Sequence, residues 1–353
     1  MATTACSDAA LCSWDFLGPD PISLLTYFAP GVVFGPPHPG AGAFTSVAVD
    51  TNPADVTSNN TDYIFAGSAN GGLYLSADGG LTFSQIFNGE PSEAIGAIAI
   101  DTTTTPSTVY VGTGNPNGNL DDYYGAGVFR SGDLGNTWSQ IMPASFANGA
   151  VAVSKIALDP ANGIIFVGAT WGSSASRADA SIVESDATQA GLWESSDDGA
   201  SWTQYAPTAL GDCYILSTAY PCPVDDVEID PAVNASGSHN LYVAVDGLEG
   251  NSTNSGGIFK STNEGGTFTS FIPGSSRSSI AIGQPTGTNK SGVAYFMMGD
   301  VDGNAFINFW YSPNGTTLVQ EAVPSFSSGG VTFDGNNPNN QVNSFYSQTL
   351  TVL

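Results

Sequence analysis

One pattern recurs along this chain and constrains it more than any other feature. The stretches SADGGLTF (76–83), SGDLGNTW (131–138), SSDDGASW (195–202) and STNEGGTF (261–268) share the form Ser-x-Asp/Asn-x-Gly-x-Thr/Ser-Trp/Phe. A shorter copy, SPNGTT, follows at 312–317. A period of 50 to 70 residues means a repeat architecture in which each unit is one supersecondary element.

The flanks repeat with the box. A short strand precedes each copy, as in GGLYL, AGVFR, GLWES, GGIFK and NFWY. Upstream lies a second strand, as in YIFAGS and TVYVGTG, and before it an alternating strand closed by Asp or Gly, as in SVAVD, AIAID, KIALDP, VEIDP and SIAIG. A fourth strand follows the box, as in TFSQI and TWSQI. Four antiparallel strands repeated in this way predict propeller blades. The 43 glycines and 21 prolines suit short strands and tight turns, and 41% hydrophobic residues can fill a large core.

The chemistry of the box fits a turn between the third and fourth strands. In the second copy, Asp133 can accept backbone N–H groups of its own loop and Ser131 can do so more weakly. Gly135 allows a positive φ, and Trp138 is large enough to wedge between blades. The same roles fall to Ser76, Asp78, Gly80 and Phe83 in the first copy, and to Ser195, Asp197, Gly199 and Trp202 in the third. In the fourth they fall to Ser261, Asn263, Gly265 and Phe268. Asn in place of Asp keeps the local acceptor and drops the charge, which points to a turn rather than a repeated catalytic carboxylate.

These boxes resemble the Asp-box (BNR) repeats of sialidases, sortilin-type receptors, xyloglucanase-type glycoside hydrolases and bacterial secreted propellers of unknown role. The resemblance covers residues 14 to 334 and implies an all-β propeller with five complete Asp-box blades. A partial sixth is read in GGVTFDGNNPNNQVNSFYSQ, closed by the N-terminal strand CSWDFLGP, so that the chain has six blades or is a fragment of a seven- or eight-bladed ring. Residues 1–13 read as a tail and 14–353 as a single propeller domain. The resemblance also implies that the boxes lie on the face opposite the functional one.

Loops joining strands two and three, and the connections between blades, therefore carry the candidate ligand site. Blade 2 offers Asp121, Asp122, Tyr123 and Tyr124; blade 3 offers Trp171, Arg177, Asp179, Glu184 and Asp186. The connection to blade 4 offers Tyr214 and Tyr220. Acids beside exposed aromatics suit hydrogen bonding and ring stacking on a sugar, and equally suit a solvated acidic loop.

The named enzymes can be tested residue by residue. A sialidase grips its substrate carboxylate with three arginines. Arg130, Arg177 and Arg277 are the only ones here, and Arg130 sits in a blade position that Lys260 also fills. In xyloglucanase-type hydrolases one of two catalytic carboxylates falls in the first blade, where this chain reads SANGGLY with Ala69 at the position. No catalytic residue is assigned.

Six Lys plus Arg against 32 Asp plus Glu give a formal charge of −26, which repels phosphate backbones and excludes nucleic acid as a partner. No apolar run is long enough to span a membrane. Cys6 with Cys12 and Cys213 with Cys222 lack metal-finger spacing and read as two local disulfides or as four free thiols. No cofactor is implied. DVDGN (300–304) begins like a calcium loop, but Ala305 and Tyr311 break the pattern, and a tight acidic turn fits better. The leading expectation is a monomeric, extracellular or cell-surface recognition propeller for a glycan or protein. The alternatives are a glycoside hydrolase with a displaced carboxylate pair and a scaffold domain of a longer surface protein.

Overall fold

The computed structural model describes residues 22–23, 39–40, 44–56, 61–116, 124–142, 151–171, 188–215, 218–247, 256–274, 277–283, 293–299, 306–321, 325–328 and 331–334. Five four-stranded antiparallel sheets follow one another along the chain, each with its strands in sequence order. Blade 1 holds Phe44–Asp50, Tyr63–Ser68, Leu73–Ser76 and Ser84–Gln85. Blade 2 holds Ile95–Asp101, Thr108–Thr113, Val128–Ser131 and Ser139–Gln140. Blade 3 holds Val151–Asp159, Ile164–Trp171, Gly191–Ser195 and Thr203–Gln204. Blade 4 holds Val224–Val233, His239–Val245, Gly256–Ser261 and Thr269–Gly274. Blade 5 holds Ser278–Ile282, Ala294–Gly299, Phe306–Ser312 and Val319–Glu321.

The first strand of each blade lies against the first strand of the next, so these are the inner strands around a common axis. The core sits between blades. One apolar cluster joins blades 1 and 2, a second joins 2 and 3, a third joins 3 and 4, and a fourth joins 4 and 5. Beyond blade 5, Ser325–Ser328 pairs with Val331–Asp334 as a separate hairpin. The segments 12–19 and 335–353, read above as parts of a sixth blade, lie outside the described residues, as do Cys6, Cys12 and 300–305.

The box turns are built alike. Ser131 Oγ donates to Asp133 Oδ1 at 2.7 Å and accepts the Gly135 N–H at 2.8 Å. The same carboxylate accepts the Thr137 N–H at 2.8 Å and the Thr137 hydroxyl at 2.7 Å. Boxes 1 and 3 repeat these bonds on Asp78 and Asp197. In box 4, Asn263 Oδ1 keeps the Ser261 and Thr267 N–H bonds at 2.8 and 2.9 Å, but the Thr267 hydroxyl stands 3.4 Å from it. An amide has one oxygen where a carboxylate has two, so the turn survives and only its last bond weakens.

Two residues per box take the left-handed conformation. Gly135 has φ 89°, and Leu134 before it has φ 56°; Asp198 and Glu264 occupy the same position as Leu134. A Cβ on Gly135 would also lie 2.5 Å from Ile86 of blade 1, so the glycine serves both conformation and close approach. Each box thus abuts the preceding blade.

Candidate functional site

Each inner strand ends at the box face in a buried aspartate that turns the chain. Asp50, Asp101 and Asp230 accept the backbone N–H two residues on, at 3.0, 2.9 and 3.0 Å. The opposite face therefore holds the starts of the inner strands, the loops between strands two and three, and the links between blades.

On that face the axis is lined by charge. Asp225 and Asp226 open the inner strand of blade 4, and Glu228 follows one pleat further in, on the same side as Asp226. Asp225 Oδ2 accepts the Ser278 N–H at 3.1 Å, and Asp226 Oδ2 accepts the Ile280 N–H at 2.8 Å, both from blade 5. Asp226 takes the position that Ser46 holds in blade 1, where Ser46 Oγ accepts the Ile98 N–H of blade 2 at 3.1 Å. Lys155 fills the same position in blade 3 and reaches Asp226 at 3.2 Å and Glu228 at 2.5 Å in blade 4. This inner-strand position thus joins one blade to the next.

Burial would lower the pKa of the Lys155 ammonium, but the Asp226 and Glu228 carboxylates outweigh it and hold the group above the usual lysine range. Burial pushes the Glu228 carboxyl up, Lys155 opposes that rise, and Asp226 adds to it. Arg277, just before the inner strand of blade 5, donates across to the Pro116 carbonyl of blade 2 at 3.3 Å.

The sequence-predicted site residues are spread around this axis. Tyr124 is 43% exposed, and its carbonyl accepts the Ser92 hydroxyl at 2.8 Å, which ties the blade 1–2 connection to the blade 2 loop. Glu93, beside Ser92, is exposed. The hairpin Asp212–Ile215 and Thr218–Pro221 crosses this face between blades 3 and 4, stapled by a Cys213–Cys222 disulfide. The free-thiol alternative for this pair is set aside. Tyr220 is 9% exposed, a correction to its role as an open stacking platform: its ring packs inward. Tyr214 lies in the first strand of that hairpin, and Trp171 ends the second strand of blade 3. Asp121, Asp122, Tyr123, Arg177, Asp179, Glu184 and Asp186 lie outside the described residues. Asp225, Asp226, Glu228 and Lys155 were missed by the sequence reading. The signal was present in VDDVEID, where three acids replace the small and apolar residues of SVAVD and AIAID.

The fold is that of a β-propeller of the sialidase or Asp-box type. No protein-family model and no curated protein matches the sequence. Among solved structures, the chain is similar to the GH74 xyloglucanase from Xanthomonas campestris, with a TM-score of 0.51 and 18% identity over 82% of this chain. It spans 39% of that enzyme's length. It is also similar to the GH74 enzyme of Niastella koreensis, with a TM-score of 0.34 and 17% identity over 83% of this chain and 51% of the other. For PorZ, a bacterial surface component of the type-IX secretion system of Porphyromonas gingivalis, the TM-score is 0.45 and the identity 13% over 78% of this chain and 33% of the other. Enzymes and a secretion-system surface component thus share this architecture, and function must be argued from the site.

Proposed function

We propose that this chain is a recognition propeller of the cell surface or extracellular space, holding a glycan or protein on the face opposite the boxes. The observation that carries this reading is that the acids nearest the axis are already engaged. Asp225 and Asp226 accept main-chain N–H groups of blade 5, and Lys155 neutralises part of the charge of Asp226 and Glu228. Carboxylates committed to joining blades are poor acid–base catalysts but stable walls for a binding face. Tyr124, exposed beside the Glu93 loop, offers the ring face and neighbouring acid that a sugar or a polar peptide would use. The Cys213–Cys222 disulfide supports an oxidising compartment.

A glycoside hydrolase reading has one observation on its side, the raised Glu228 carboxyl beside Asp226, since such a pair could divide acid and base roles. Lys155 lies between the two acids, and Ala69 leaves the blade 1 position without a carboxylate. The test is a glycan array and a peptide panel run beside a polysaccharide hydrolysis screen. Binding that falls at least tenfold in Tyr124→Ala, without release of reducing ends, is the expected result. Release of reducing ends that is abolished by Glu228→Gln would overturn the recognition reading.

A further inference from the structure

The five blades form an arc whose two ends are bare, and the repeat itself says what each end lacks. The two apolar residues before the terminal Asp or Gly of each inner strand pack toward the preceding blade. Ile98 and Ile100 enter the core between blades 1 and 2, and Ile156 and Leu158 that between blades 2 and 3. Val227 and Ile229 enter the core between blades 3 and 4, and Ile280 and Ile282 that between blades 4 and 5. In blade 1 the same positions are Val47 and Val49, and they are 63% and 45% exposed.

The other end shows the complement. The second strands carry an aromatic that packs toward the following blade: Phe65, Tyr110, Phe166 and Tyr242, all at most 4% exposed. Tyr295 holds that position in blade 5, as its pairing beside Phe296 and Ile280 fixes. Its ring is only half-buried and stacks on Phe309, 6.3 Å away, within its own blade. One face requires a preceding blade and the other a following one.

We infer that a single further blade, made from this chain's own residues 13–19 and 331–353, seats between Tyr295 and the Val47–Val49 face and closes the ring. Two sequence patterns select this occupant. Val331–Asp334 reads Val-Thr-Phe-Asp, with apolar residues at the spacing that Val47 and Val49 keep before Asp50. SWDFLGP (13–19) repeats TWSQIMP (137–143) and SWTQYAP (201–207), the fourth strands whose tryptophans reach the preceding blade. A bare β-branched inner strand is otherwise an aggregation-prone surface.

Thiol labelling of the full chain, resolved by peptide mass spectrometry, tests this. Val47→Cys is expected to label roughly a hundredfold more slowly than Leu81→Cys at a box turn, because labelling then requires opening of a core. Adding Phe333→Asp or, should that chain fail to fold, Trp14→Ala is expected to restore labelling of Cys at position 47 to within a few-fold of the Leu81→Cys rate. Equal rates for Val47→Cys and Leu81→Cys would overturn the inference. So would protection that grows with protein concentration, the mark of a second copy on this face, or protection unaffected by both secondary substitutions.

Discussion

Trp202 in box 3 donates its indole N–H to the Ile141 carbonyl of blade 2 at 2.8 Å. Trp138 makes the equivalent bond to Ile86 of blade 1 at 3.3 Å and sets its ring edge-on to Phe87, with centroids 5.1 Å apart. The box aromatic therefore anchors each blade to its predecessor by packing and by one directed bond. Trp202→Phe keeps most of the packing and removes the bond, and is expected to cost about 1 kcal/mol. Trp202→Ala is expected to cost about 3 kcal/mol or more, since it also leaves a cavity between blades. Urea unfolding of the two variants checks this; equal losses would mean that the bond contributes nothing.

The serines that start the boxes separate into two kinds. Ser131 is 1% exposed and has both a donor and an acceptor partner. Ser312, which starts the short fifth copy, is fully buried, and its hydroxyl has no partner. The shortened turn brings Gly315 one residue earlier than Gly135 stands in its own box, so the amide that would meet the hydroxyl is displaced. Ser131→Ala is expected to cost about 1 to 3 kcal/mol by orphaning the Gly135 amide, while Ser312→Ala is expected to be neutral or stabilising. Paired thermal melts of the two variants decide the point, and a larger loss for Ser312→Ala would refute it.

The fold was legible in the sequence because turn chemistry is local. Ser, Asp, Gly and Thr of one box bond to one another within seven residues, so the pattern survives in every copy and announces itself. The left-handed residue ahead of the box glycine was not legible, because Leu134, Asp198 and Glu264 share no chemistry. The axial acids were hidden for another reason. Lys155 meets Glu228 from 73 residues away, and Asp226 meets Ile280 from 54 away, so their pairing exists only once the blades are stacked. Much of the predicted loop site depends on composition rather than pattern, and composition does not fix a position in space.

The box carboxylates should titrate low. Hydrogen bonds from the Thr82 hydroxyl, the Thr82 N–H and Ser76 take Asp78 from its ordinary 3.8 down to about 2, and the same donors in boxes 2 and 3 lower Asp133 and Asp197. A depressed folded-state value means that the unfolded chain binds the proton more readily. The contribution of the Asp78 turn is therefore complete above pH 3.8 and is lost as pH falls through about 2. Carboxyl NMR should place the Asp78 midpoint near 2, and Thr82→Val should move it back toward 3.8 by removing the strongest donor. A midpoint at the ordinary value in the unsubstituted chain would contradict the turn's assignment.

At the axis the sign reverses. Glu228 is pushed above its ordinary 4.5, so the folded chain holds a proton that the unfolded chain has released. Between the raised value and 4.5, falling pH adds stability from this group, and at neutral pH its charge is a burden that Lys155 only partly offsets. Glu228→Gln leaves Lys155 paired with Asp226 at 3.2 Å, and is expected to change stability at pH 7 by less than about 1 kcal/mol while flattening the gain on mild acidification. Lys155→Met is expected to cost about 2 to 3 kcal/mol at pH 7, the lower part of the range for breaking a buried pair, because Lys155 and Glu228 side chains keep 34% and 27% exposure to solvent. Lowering the pH toward 5 should reduce that loss, since protonation of Glu228 removes one of the two unpaired charges. Denaturant melts of both variants at pH 7 and pH 5 measure the difference. A Lys155→Met defect that is the same at both values would show that Glu228 stays ionised throughout and that its raised pKa is wrong.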